Sequence, residues 1–120
     1  MPTGYGVSRF LSLPDAADDE TTGVPFDASG YPYLTFWIKG TGTTSSGVVT
    51  IEEADYDPKV ETVYSGTWSS ITTVNASDVS GGKQKAVHVT ANTHWVRPRI
   101  STAIGGGGTV AVEITANGAS

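Results

Sequence analysis

Two histidines, His88 and His94, are the only imidazoles in the 120-residue chain, and both stand among Val, Thr and Trp. A hydrolytic triad needs an imidazole between a nucleophile and a carboxylate, often at a strand-to-helix elbow. Neither context is present, so both are read as strand or strand-edge residues. Acids are more concentrated, with Glu52, Glu53, Asp55, Asp57 and Glu61 close together. Glycosidase chemistry requires two carboxyls that converge across a substrate, whereas neighbours on a strand point to opposite faces. Glu53, Asp55 and Asp57 lie two apart and offer oxygens that a calcium ion would accept. The loop glycine and closing bidentate Glu of a calcium loop are missing, however. Gly105–Gly108 suggests a phosphate cradle by its glycines alone, but no Lys-Ser/Thr and no helical pattern follow it. With no cysteine there is no thiolate metal site, disulfide or cysteine nucleophile. The chain is therefore expected to have no catalytic residues, no metal and no cofactor, and not to be an enzyme.

The remaining residues suited to recognition are aromatic or charged. Trp37, Trp68, Trp95, Tyr31, Tyr33, Tyr56 and Tyr64 can fill a core, anchor an interface or form a stacking platform for a sugar. Charge is split along the chain. Residues 1–78 carry eleven acids and three bases, a net −8, and residues 79–120 carry four bases and one acid, a net +3. Unlike surfaces on one molecule favour head-to-tail contacts between copies. Aromatic and Arg side chains are the usual anchors of interfaces. Tyr31, Tyr33, Trp37, Arg97 and Arg99 are accordingly the candidate interface residues, with Asp18, Asp19 and Glu20 as acidic counterparts. The overall charge of −5 argues against general nucleic-acid binding, and no run approaches the roughly 18 apolar residues of a membrane span.

The elements that must hold these residues are strands. Fifteen Gly, 17 Thr and 12 Ser with a single Met make a composition rich in β-formers and turn residues. From Tyr31 onward, apolar alternation is broken every 8–15 residues by Gly, Asn, Asp or Pro, the spacing of a sandwich or barrel. Period two assigns Leu34, Phe36, Ile38, Val49, Ile51, Val87, Val89, Val96, Ile100, Val110, Val112 and Ile114 to the core. Trp68 and Ile71 have opposite parity, which calls for a bulge or for only one of them facing inward. Pro98 predicts an edge or a bulge. The four glycines predict a tight hairpin joining the last two strands, a register that sets Arg99 against Glu113. Residues 1–30, acidic and poor in large apolar groups, read as an extended N-terminal arm, much of residues 1–22 ordering only against a neighbouring subunit or the capsid, and residues 31–120 as the sandwich domain. The expected fold is all-β, a single sandwich of about eight antiparallel strands, jelly-roll-like or immunoglobulin-like.

From about Asp15 to Asn117 the order of features resembles the small β-sandwich virion structural proteins of tailed bacteriophages. The resemblance is carried by Leu-Thr-Phe-Trp-Ile-Lys-Gly-Thr (34–41), Gly-Val-Val-Thr-Ile-Glu-Glu-Ala (47–54), Ser-Gly-Thr-Trp-Ser-Ser-Ile (65–71), Val-Arg-Pro-Arg-Ile-Ser (96–101) and the closing Gly-Gly-Gly-Gly-Thr-Val-Ala-Val-Glu-Ile (105–114). Within that group the chain is most similar to head decoration, or cement, proteins. The resemblance implies a non-enzymatic role in decorating and stabilising the capsid surface. The implied partners are the major capsid protein and further copies of the chain, as a homotrimer, without nucleic acid or membrane. The implied location is the virion, after the host cytoplasm during assembly. The alternative is a carbohydrate- or receptor-binding module of a phage tail, a fibre or an extracellular enzyme.

Overall fold

A computed structural model describes residues 7–54, 68–90 and 95–117. Eight strands appear among them: β1 (Val7–Ala16), β2 (Phe26–Asp27), β3 (Tyr33–Thr41), β4 (Ser46–Ala54), β5 (Ser69–Asn75), β6 (Gln84–Thr90), β7 (Trp95–Gly105) and β8 (Thr109–Asn117). They form two four-stranded sheets, β1-β8-β3-β6 and β2-β7-β4-β5. Every pairing is antiparallel.

The pairs nest: β1 lies with β8, β2 with β7, β3 with β6 and β4 with β5. The chain therefore behaves as one long hairpin, rolled so that β3 meets β8 in one sheet and β4 meets β7 in the other. This is the connectivity of a jelly roll and not of an immunoglobulin sandwich.

Alternation along the strands decides what lies between the sheets. Leu34, Phe36 and Ile38 of β3 face Val49 and Ile51 of β4, Val96 and Ile100 of β7, and Val110, Val112 and Ile114 of β8, all buried. Val89 is buried and Val87 packs half-buried at the margin. Leu13, Val74, Val79, Ile104 and Ala116 complete the core. The parity conflict after Trp68 is resolved by a bulge. Ile51 pairs with Thr72 and Glu52 with Ser70, so Ile71 is the extra residue. The non-strand element among the described residues is one 3-10 turn, Ala76–Val79. Beside it, Thr44 donates its hydroxyl to the Ala76 carbonyl at 2.7 Å and its N–H to Ser80 Oγ at 3.0 Å.

Three expectations are corrected. The glycines 105–108 do not close a hairpin within a sheet, because β7 and β8 lie in different sheets. They turn a corner between the layers, with Gly106 and Gly107 at φ of 99° and 89°, conformations that side chains disfavour. Arg99 and Glu113 consequently sit on different sheets and do not meet.

Residues 7–27, read as part of an arm, are built into both sheets. β1 pairs with β8 from Val7 to Ala16. The chain then crosses to the other layer and runs antiparallel to β7. There Ile104 N–H donates to Ala17 O, Ile100 N–H to Thr21 O and Gly23 N–H to Pro98 O, at 2.8–2.9 Å. The two halves of this segment are tied by Ser12 and Val24, which exchange bonds of 2.8 and 2.9 Å. Backbone pairing, together with the buried Ser12 and Leu13, substitutes for the apolar bulk the segment lacks.

Pro98 is neither on an outermost strand nor at a bulge. Its carbonyl points toward Gly23, so the ring nitrogen that lacks a hydrogen points there too, and no bond to β4 is lost. The ring also dictates the partner. A Cβ on Gly23 would stand 2.7 Å from Pro98 Cγ and would collide with Ser12 Oγ. Only glycine fits.

Candidate functional site

Because residues facing the core alternate with residues facing out, each sheet presents an outer face of polar and aromatic groups. On the β2-β7-β4-β5 sheet, Arg97 and Arg99 project from β7 beside β4. Arg97 is the register partner of Glu52, and Arg99 that of Thr50, one step away on the same face. Both guanidinium groups close on the one carboxylate. Arg97 Nε donates to Glu52 Oε1 at 3.0 Å and Arg99 Nε to Glu52 Oε2 at 2.9 Å. The Glu52 side chain is 7% exposed, and those of Arg97 and Arg99 are 21% and 24%.

The network extends in both directions. Arg99 Nη1 donates to Glu20 Oε1 at 2.8 Å, and Arg97 lies over the Trp68 ring, 4.2 Å from its centroid. Thr50 and Ser101 share a hydroxyl bond of 2.7 Å alongside. The bond to Glu52, with the charges of Glu52 and Glu20, pushes the Arg99 guanidinium still further up from its strongly basic ordinary value, against a smaller opposing effect of burial. A carboxylate held this way has both oxygens engaged and little room for a substrate. The cluster is a clamp between β4, β7 and the 17–23 segment.

The outer face of the β1-β8-β3-β6 sheet is arranged differently. Trp37 on β3 lies half-buried between Glu113 of β8 and Ala86 of β6, its register partners. Its indole Nε1 donates to Thr115 Oγ1 at 3.1 Å, which fixes the ring plane. Glu113 is 3.5 Å from Lys39 Nζ and 3.9 Å from Arg9 Nη1. Lys39 is 45% exposed and Arg9 74%. These four residues and Gln84 line a depression of about 160 Å³. Further along β3, Thr35 Oγ1 lies 3.1 Å from His88 Nδ1 on the same face.

The candidate interface residues are thus dispersed. Arg97 and Arg99 meet through Glu52 within the chain, Glu20 joins them at Arg99, and Trp37 lies on the opposite sheet. Tyr31 is half-buried against Phe26, itself against Phe10, with ring centroids 5.7 Å apart in each pair. Tyr33 is 58% exposed near the start of β3, and Leu11 and Val24 are similarly open at 56% and 57%. Asp18 and Asp19 are exposed where the chain passes between the sheets, and the Asp18 carbonyl accepts from the Thr21 hydroxyl at 2.7 Å. Glu53 is half-buried, while Asp55, Asp57, Tyr56, Tyr64 and His94 lie outside the described residues. Sequence reasoning missed Glu52 as the hub and Glu113 as a groove residue. Strand parity carries the signal for both, since each shares its outward face with a cation on the strand now seen beside it.

No family model and no curated protein matches the sequence. Among solved structures, the chain is similar to the crystal structure of the SPBc2 prophage-derived protein YomS. The TM-score is 0.63 over 98% of this chain and 97% of that one, at 17% sequence identity. The two share a fold from end to end.

Proposed function

We propose that the chain is a non-enzymatic structural module of a phage or prophage particle that decorates and stabilises the capsid surface. The observation that carries this reading is the fold match along nearly the whole of both chains, with a prophage-derived protein as the counterpart. Two further features support it. Among the described residues the most buried acid, Glu52, is committed to two Arg side chains, an arrangement suited to holding strands together. Asp15, Asp18 and Asp19 are exposed on one lateral side of the sandwich, and Lys83 and Lys85 belong to the opposite side, beside β6. Opposed charges on two sides suit head-to-tail contact between copies, closing as a ring of which a trimer is a simple case. The partners on this reading are the major capsid protein and neighbouring copies. Arg97 and Arg99, held by Glu52, give way to Lys83 as the basic group of that contact, since Lys85 is itself paired with Asp78 at 3.2 Å.

The test is particle composition. Gradient-purified particles, analysed by quantitative mass spectrometry, should contain the chain at a fixed ratio to the major capsid protein. Recovery only in the soluble fraction of the lysate would overturn the assignment.

A further inference from the structure

The depression at Trp37 is not isolated. A second one, of about 650 Å³, continues from it toward the turn before β6 and shares Lys39 and Gln84 as a common wall. Gly40, Gly82 and Lys83 line its far part. Together they make a shallow groove across the outer face of the β1-β8-β3-β6 sheet, from Arg9 to Lys83. We propose that this groove binds an acidic oligosaccharide, with one sugar ring stacked on Trp37 and a ring carboxylate held by Lys39 and Arg9.

Four observations carry the inference. The indole is pinned by Thr115, so its plane is set before any ligand arrives, and a flat aromatic face suits the apolar face of a sugar ring. The smaller depression, about 160 Å³, is comparable in volume to one such ring, and the larger, about 650 Å³, leaves space for further units. The polar groups around the indole are Glu113, Gln84 and the cations, which offer both acceptors and donors to hydroxyls. Finally, Arg9, Lys39 and Lys83 outnumber Glu113 here, and Asp78 at the far end is engaged by Lys85 at 3.2 Å. A cationic groove on a chain of net charge −5 selects an anionic ligand. The carboxylate of Glu113 in the floor, and that overall charge, disfavour the closely spaced phosphates of a nucleic acid. They tolerate the sparse charge of a uronate-containing chain.

The inference goes beyond a capsid-stabilising role and does not depend on it. The experiment is an NMR titration of the isotope-labelled protein at millimolar concentrations of four probes. Two are acidic hexasaccharides, one alternating glucuronate with N-acetylglucosamine and one of galacturonate; the others are neutral chitohexaose and a six-residue thymidine oligonucleotide. At least one acidic sugar should shift the Trp37 indole and the amides of Lys39, Gln84 and Lys83, and bind at least about tenfold more tightly than chitohexaose. Trp37→Ala should weaken it at least about tenfold. Lys39→Gln, a change of an exposed side chain, should remove the preference for acidic over neutral sugar while leaving particle association intact. Silence with both acidic sugars, shifts elsewhere, or groove binding by the oligonucleotide in preference to the sugars would each overturn the proposal.

Discussion

The two outer faces carry similar ingredients and put them to different uses. On one, Glu52 sits between Arg97 and Arg99 and is nearly sealed from water, with Trp68 covering Arg97. On the other, Glu113 sits between Arg9 and Lys39 at longer distances, and both cations remain open to solvent. In each case one acid serves two bases across neighbouring strands. What differs is the desolvation. A buried carboxylate cannot lose its partners without heavy cost, so the first cluster is architecture. Glu113 is half-buried, but its bases, Lys39 and Arg9, are open to water, so their pairing is weaker and exchanges more readily, and they are free to meet a ligand.

That contrast is open to direct attack. Glu52→Ala strands two half-buried guanidinium groups and should destabilise the protein by about 3 kcal/mol, seen as a lowered denaturant midpoint. Glu113→Ala should cost no more than about 0.5 kcal/mol in the same assay. Equal losses at the two positions would erase the distinction between the faces. Next in size, Trp68→Leu should cost about 1 kcal/mol beyond its apolar area. A double-mutant cycle with Arg97→Met should assign that excess to the contact between them. Salt gives a third handle. Between low and high ionic strength the stability effect of Glu113→Ala should vanish, whereas that of Glu52→Ala should largely persist.

The smallest effect is expected at Glu20, which adopts φ of 62° while its side chain pairs with Arg99. Glu20→Gly removes an exposed ion pair but relieves the backbone. Its net change should stay within about 0.5 kcal/mol of zero. A large loss would mean that the clamp depends on its outermost member.

How much of this could be read without coordinates varies by region, for physical reasons. β3, β4, β7 and β8 were legible because Leu34-Phe36-Ile38, Val49-Ile51, Val96-Ile100 and Val110-Val112-Ile114 alternate strictly, and burial on one face enforces such alternation. The bulge at Ile71 was legible as a parity conflict. Strand partnership was not. A glycine-rich turn such as 105–108 serves a hairpin or a corner between layers equally well, and that choice decides whether Arg99 faces Glu113 or Glu52. The 17–27 segment was illegible for a different reason. It is held by backbone bonds to β7 and by the fit of Gly23 against Pro98, neither of which leaves an apolar pattern. Of the candidate site, Trp37 and the two arginines could be named as outward-facing residues. Which of them were already engaged could not, because that depends on sheet order.

The functional account rests most heavily on the particle. Particles assembled without this chain should be mixed with the recombinant protein, separated from the unbound fraction, and heated while release of packaged DNA is followed. The account predicts saturable binding and a rise in the temperature of release to that of complete particles. Failure to bind, or binding with no change in that temperature, would contradict a stabilising role on the capsid.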